Sequence, residues 1–506
     1  MSLNKQKIAI FGKVLSCVVA LLLVVTLVPK FSASAVSYIG SGTKADPYLV
    51  TNAEQLDGMR NNLSAHYKLA ATIDMSSFGN MEPIGFLAKP FTGSFVCDIA
   101  EDGLPYYAIK NLSVNNKRGL INKHAHATAN FPDYVKDNSH WEAGLFGATE
   151  GATLKGIYVL DANIINSCVG ELSHTYPGGD KSKDYIPCPG GDENATGVLI
   201  AIASGTTIQG CMTSGKIDSM TNHTGGMVGL LKKDSSIYES YSTVNVKSGG
   251  CWGAGGLVGT GKDISIQYCF ATGNVDAPMK KSFEDVYLDL SGGIVGVVEG
   301  TGIISDCYST GTISFNGNSL ASIDKEEINF FSNCYTISKV QELTATPTDK
   351  KNSNNCFVLA EAGCKQSAFN AATADEINAA FSGLEGWETG KEKYPTLSKV
   401  KVVSDSGIYV AGGQREGVTP PATQQIVSSA LSDSSENSNG SSGGETTSQG
   451  DTTSENTADG TTQTVSVNST EKQVLMIVLA ALIIVISVLT SVVFITIIKK
   501  LGREEE

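Results

Sequence analysis

An all-β solenoid, a right-handed parallel β-helix with short capping helices, is the fold class this sequence predicts, and three observations predict it. The first is a repeat. Gly225-Gly226-Met227-Val228-Gly229, Gly255-Gly256-Leu257-Val258-Gly259 and Gly292-Gly293-Ile294-Val295-Gly296 are one motif three times, with weaker copies at 143–147 and 196–200. A recurrence of this kind signals a solenoid, in which no unit buries its apolar face alone. The second is a pair of columns. An apolar residue, two others and a cysteine recur at Ile208 to Cys211, Ile266 to Cys269, Ile304 to Cys307 and Phe331 to Cys334, with Cys356 continuing the series and Ser240 standing in at one coil. An aromatic or large residue follows directly: Tyr158, Met212, Tyr241, Phe270, Tyr308, Tyr335 and Phe357. The third is alternation. Cys307, Ser309, Gly311 and Ile313 share one parity and Tyr308, Thr310 and Thr312 the other, which is a strand with one inward face. The apolar residue three positions before each cysteine breaks that parity. The two residues between them therefore form a corner.

Taken in order, residues 1–35 read as a signal peptide, with Lys5, Lys7 and Lys13 ahead of an apolar run and Ala33-Ser34-Ala35 at the cleavage site. Residues 36–142 form an N-terminal cap and the first coils. Thr51-Asn52-Ala53-Glu54 is a capping box that opens a short helix with Leu56 and Met59 on one side. Residues 143–360 are the repeat coils, whose parallel stacking implies the right-handed sense general to parallel crossovers. Residues 361–400 form a distal cap, opened by Thr373-Ala374-Asp375-Glu376 and completed by Trp387, Tyr394 and Leu397.

Residues 401–472 read as a disordered tether. From Glu416 to Glu471 there are eight acids and no Lys or Arg, so eight of the 14 net negative charges lie there. As a flexible coil that stretch averages about 40 Å end to end. The remainder is only mildly acidic, which argues against nucleic-acid binding. Residues 473–498 carry no charge from Val474 onward and are long enough to cross a bilayer. Lys499, Lys500 and Arg503 then place the tail 499–506 in the cytoplasm and everything before the span outside.

GGMVG, GGLVG and GGIVG, with CYSTG at 307–311 and CFATG at 269–273, resemble the GLUG repeats of bacterial surface proteins. The flanks GSGTKADPYLV at 40–50, FTGS at 91–94 and IKNLSV at 109–114 resemble the N-terminal part of such proteins. The resemblance implies β-helix architecture and a surface or adhesion-like role. It implies no reaction.

The candidate chemistry is sparse. The cysteine column reads as buried small side chains, because Cys211 and Cys269 are two coils apart and spacings near 30 do not suit zinc. Cys168 and Cys188 share one insertion, where a disulfide and two free thiols are both open. His124, His126 and His140 share another, Asp180, Asp184, Asp192 and Glu193 lie together in the loop that holds the two cysteines, and solvated loop side chains explain both sets without a metal. No metal or organic cofactor is called for. The corner residues before the cysteines are Gly210, Glu239, Tyr268, Asp306, Asn333 and Asn355, so no two acids fall on adjacent coils as a β-helix lyase or glycosidase would require.

The expected function is therefore non-catalytic adhesion or ligand binding at a bacterial cell surface, with a β-helix polysaccharide lyase or glycoside hydrolase as the alternative. The partners are the membrane, through the C-terminal helix, and a glycan or a host or cell-surface protein. Insertions at 166–194, 218–224, 247–254, 276–291 and 314–327 share one repeat position, so they line one edge. Tyr176, His223, Trp252 and Tyr287 in those insertions are the candidate binding residues.

Overall fold

The computed structural model describes residues 36–116, 141–167, 194–249, 252–277, 290–314, 317–318, 320–323, 329–340, 353–360, 369–403, 406–419 and 463–464. The signal peptide, most of the tether, the span at 473–498 and the tail lie outside them. Among the described residues no helix is long and apolar enough to cross a membrane. The chain divides into two units, and Tyr38–Gln463 holds every element considered below.

Stacked parallel coils make up this unit. Val228–Tyr238 pairs in parallel with Val258–Gln267, which pairs with Val295–Ser305, and a five-stranded parallel sheet runs through Ala195–Gly197, His223–Gly225, Gly253–Gly255, Leu290–Gly292 and Gly317–Asn318. Like stacks on like: Val228 on Val258 on Val295, and Ile208 on Ile237 on Ile266 on Ile304. The expected ladder of Ile217, Val246, Val275 and Ile313 is present and extends to Val340. All five are buried, and full burial of such a side chain contributes about 1.5–3 kcal/mol as an upper value.

The expected corner is a left-handed residue in seven successive coils. Gly156, Gly210, Glu239, Tyr268, Asp306, Asn333 and Asn355 all have positive φ, between 48° and 68°. One left-handed residue reverses the in–out parity, and this is why the apolar residue and the cysteine three positions later both face inward. Cys211, Cys269, Cys307, Cys334 and Cys356 are buried free thiols, as is Cys97 in an earlier coil. Each thiol in the column donates to the carbonyl two residues back, as in Cys269 Sγ to Gln267 O at 3.1 Å and Cys307 Sγ to Ser305 O at 3.1 Å, and Ser240 Oγ does the same to Tyr238 O at 2.8 Å. Cys and Ser interchange there as small inward donors, while in the coil of Gly156 the buried Ile157 fills the same place without one. Burial pushes the Cys211 thiol up to about 12.

Two expectations change, and one is sharpened: the recurring glycines, expected at tight or positive-φ positions, are of the tight kind. Asn52, not Thr51, caps the first helix (α1, Ala53–Gly58): its side chain accepts from Gln55 N, while Thr51 donates to Gln55 Oε1. The repeated glycines are not in the left-handed region. A Cβ on Gly256 would press into the carbonyl oxygen of Gly293, so close backbone approach between coils is what excludes a side chain. The second change concerns the distal end. The second helix (α2, Ala374–Phe381) has the full capping box at Thr373 and Glu376. Its Phe381, with Trp387, Leu397, Val400 and Tyr409, packs on the outward aromatic column rather than forming a cap over the end alone. Residues 401–403 and 406–416, placed in the tether on sequence, continue this strap back to the first coils, where Gly413 O accepts from Thr72 N and Arg415 N donates to Tyr106 O.

Candidate binding surface

The insertions leave and re-enter the coils at one corner. On the entry side Asn166, Ser219 and Ser248 are stacked in register, and on the exit side so are Ala195, His223, Gly253 and Leu290. Between the two sides runs a buried row of hydroxyls. Asn166 Nδ2 donates to Thr196 Oγ1 at 3.0 Å and to Trp141 O at 2.8 Å. Thr196, Ser219 and Thr221 interlink at 2.8–2.9 Å, and Ser248 donates to Thr224. One coil further, Ser314 Oγ donates to Asp276 Oδ1 at 2.9 Å and accepts from Ala277 N. Such bonds satisfy strand ends that would otherwise be buried without partners, and they hold the mouths of the insertions fixed.

His223 and Trp252 come together at this edge, since His223 pairs with Gly253, the residue after Trp252. His223 is buried, its Nδ1 2.8 Å from Thr260 Oγ1, so it belongs to the wall that supports the edge. Trp252 is half-buried, its Nε1 donating to Glu299 Oε1 on the next coil at 2.7 Å. Tyr176, Tyr287, Cys168 and Cys188 lie outside the described residues. Thr260, Glu299 and the hydroxyl row escaped sequence reasoning. A signal was there in the small residue before each repeat glycine, Thr196 before Gly197 and Thr224, Ala254 and Ser291 before the glycine pairs.

On the opposite corner, Asp306 accepts at Oδ1 from both Trp387 Nε1 and Asn333 Nδ2, each at 3.1 Å, and Tyr268 separates its coil from that of Glu239. A carboxylate so engaged serves the packing. Among the described residues no group of three His, Cys, Asp or Glu is arranged to hold a metal ion.

Stacked parallel coils with a glycine motif per coil define a repeat solenoid of the parallel β-helix kind. The chain carries a GLUG motif, matched at residues 290–314, which include the Leu290–Gly292 strand and the CYSTG segment. Halomucin of Haloquadratum walsbyi (strain DSM 16790 / HBSQ001) is 28% identical over 253 residues, covering 47% of this chain and 2% of that protein. A solved structure of an IgA1 protease aligns with a TM-score of 0.33 and 16% identity over 64% of this chain and 24% of its own. The chain thus spans a small part of either protein.

Proposed function

We propose that this chain is a non-catalytic binding protein of a bacterial cell surface, exported by residues 1–35, held by a membrane helix at 473–498, and presenting its insertion edge to a glycan or a surface protein. The single observation that carries this reading is the in-register stacking of the insertion mouths. Strands about 4.8 Å apart bring chemically different loops side by side on one rigid rail. Function on a solenoid concentrates where loops vary while the coils stay constant. The GLUG motif and the stacked coils support the surface role.

The test is a glycan and extracellular-matrix array probed with the purified ectodomain, with and without calcium. For the ligand found, the double variant Trp252→Ala, Tyr287→Ala should weaken binding by about tenfold or more while the melting temperature moves little. Unchanged affinity removes the edge from consideration. Fractionation of the native cells, with the protein found in the soluble lysate, removes the anchor.

A further inference from the structure

The column that follows the cysteines points outward, yet it is buried. Tyr241, Phe270, Tyr308 and Tyr335 stack ring on ring at 4.6, 4.8 and 5.1 Å with interplanar angles of 14°, 7° and 5°. Left bare, this row would be a continuous apolar stripe along the flank of the coils. The strap covers it. Phe381 packs edge-on to both Tyr335 and Trp387, Trp387 lies tilted on Tyr335 at 5.8 Å, and Leu397, Val400 and Tyr409 carry the cover on toward Tyr158 and Ala108.

The bonds between the strap and the coils have a consistent form. Ladder hydroxyls meet strap backbone: Tyr335 OH donates to Pro395 O at 2.6 Å, Tyr158 OH donates to Lys401 O at 3.4 Å, and Val403 N donates to Tyr241 OH at 2.8 Å. Burial pushes the Tyr241 hydroxyl up to about 12, so it remains a neutral donor and acceptor. At the far end Tyr409 OH donates to Pro105 O, and Arg415 pairs with Asp102 at 2.6 Å. Groups that read the backbone of an extended segment, together with pockets for its side chains, are what a peptide-binding groove consists of.

The strap is joined to the coils by a jointed connection. Gly383 and Gly386 both have positive φ, and Gly383 has no neighbouring atom within reach of a side chain. Among the described residues the strap's own regular structure is the two-residue pairing of Trp387–Glu388 with Thr396–Leu397, a single bridge between Tyr409 and Arg415 and one short 3-10 turn. A segment with so few backbone bonds of its own opens at a lower free energy than the coils it covers.

We propose that the outer aromatic ladder is a peptide-binding groove filled in cis by residues 384–416, and that the partner it fits when vacated is the same segment of a second copy of this chain. The argument for that occupant is complementarity: the only sequence shown to satisfy Tyr158, Tyr241, Asp306 and Tyr335 together is this one. The jointed glycine connection lets it reach a neighbour, as in exchange of a terminal element between copies. The inference does not depend on the ligand of the insertion edge.

The test places a protease site between Gly383 and Leu384 of the full chain. After cleavage the strap should stay bound, and a fluorescent peptide of residues 384–416 should replace it saturably. The same peptide with Trp387→Ala should bind about tenfold more weakly or worse. A second arm mixes two full chains, one with a weakened strap, Val403→Pro, and one with a weakened ladder, Tyr241→Ala. Val403→Pro removes one N–H outside the coils and leaves them to fold. The mixture should give a one-to-one dimer by sedimentation that neither chain gives alone. Failure of the cleaved protein to take up the peptide overturns the groove, and uptake without a mixed dimer overturns the second copy as its partner.

Discussion

Two columns run the length of these coils on neighbouring residues, and they are stabilised in opposite ways. The inner column is satisfied within the coils themselves: each of its thiols, and Ser240 among them, donates to a carbonyl two residues back in its own corner, and Ser240 Oγ also accepts from Cys211 N of the coil before. The outer column depends on a partner. Its rings are covered only because a segment from after the last coil returns along them. The inner column therefore accepts Cys, Ser and, at Ile157, a larger apolar side chain, whereas the outer column is strict in what covers it.

The largest expected effect attacks the outer column. Tyr335→Ala removes a ring that touches Tyr308, Phe381 and Trp387 and an OH bonded to Pro395. A loss of about 3–5 kcal/mol is expected for a buried aromatic. If the two columns differ as described, hydrogen exchange should rise first in residues 384–416 and only later in the coils. Simultaneous exchange of both would merge them into one cooperative unit.

Next comes a contrast inside the coils. Gly256→Val forces atoms into the Gly293 carbonyl and should cost about 3 kcal/mol. Thr260→Val is no harmless control. Thr260 is buried and bonded to His223, so about 1–3 kcal/mol should be lost there as well. Melting curves should rank wild type, Thr260→Val and Gly256→Val in falling order. Thr260→Val at or below Gly256→Val would mean that the glycine contact relaxes cheaply.

A smaller effect isolates the inner donor. Cys307→Ser keeps a donor toward Ser305 O and should change stability by less than about 1 kcal/mol, as Ser240 in the same column implies. Cys307→Val keeps the volume and loses the donor, while Ser305 O keeps its bond from Tyr268 N, so the cost is that of one weak hydrogen bond, about 1 kcal/mol. Urea midpoints of the two variants measure the difference. Equal midpoints would mean that packing alone places cysteine in this column.

What was legible in the sequence follows the same division. Coils, inner ladders and corners were readable because identical neighbours impose identical environments, and a parity break at Ile266 to Cys269 recurs at Ile304 to Cys307. The strap was not readable as a strap. Trp387, Tyr394 and Leu397 announce burial, but nothing periodic says against what, and 401–416 has the composition of a linker until Arg415 finds Asp102. At the insertion edge, Trp252 was legible as a candidate from its place in a variable loop. The burial of His223 was not, because its partner Thr260 lies 37 residues away.

The corner offers the smallest effect and the most direct test of why the inner column exists. Five of the seven left-handed corner residues are not glycine, and of these Glu239 and Tyr268 lack the short polar side chain that eases the conformation in Asp306, Asn333 and Asn355. A non-glycine residue held there costs about 1–2 kcal/mol. Glu239 also makes only a long contact to Gln209, at 3.4 Å, so little is lost on its removal. Glu239→Gly should therefore raise stability by roughly 0.5–1 kcal/mol, the relief of strain exceeding the added freedom of the unfolded chain. Tyr268→Gly should not, because the Tyr268 ring carries Lys399 at 4.9 Å and packs against Tyr238, so the strain it bears is offset by contacts. Thermal melts of the two variants with opposite signs would confirm that the left-handed turn, and not its side chain, is what each coil requires. A fall in stability for Glu239→Gly would mean that the corner is held by its side chains, and the parity argument for the cysteine column would lose its physical basis.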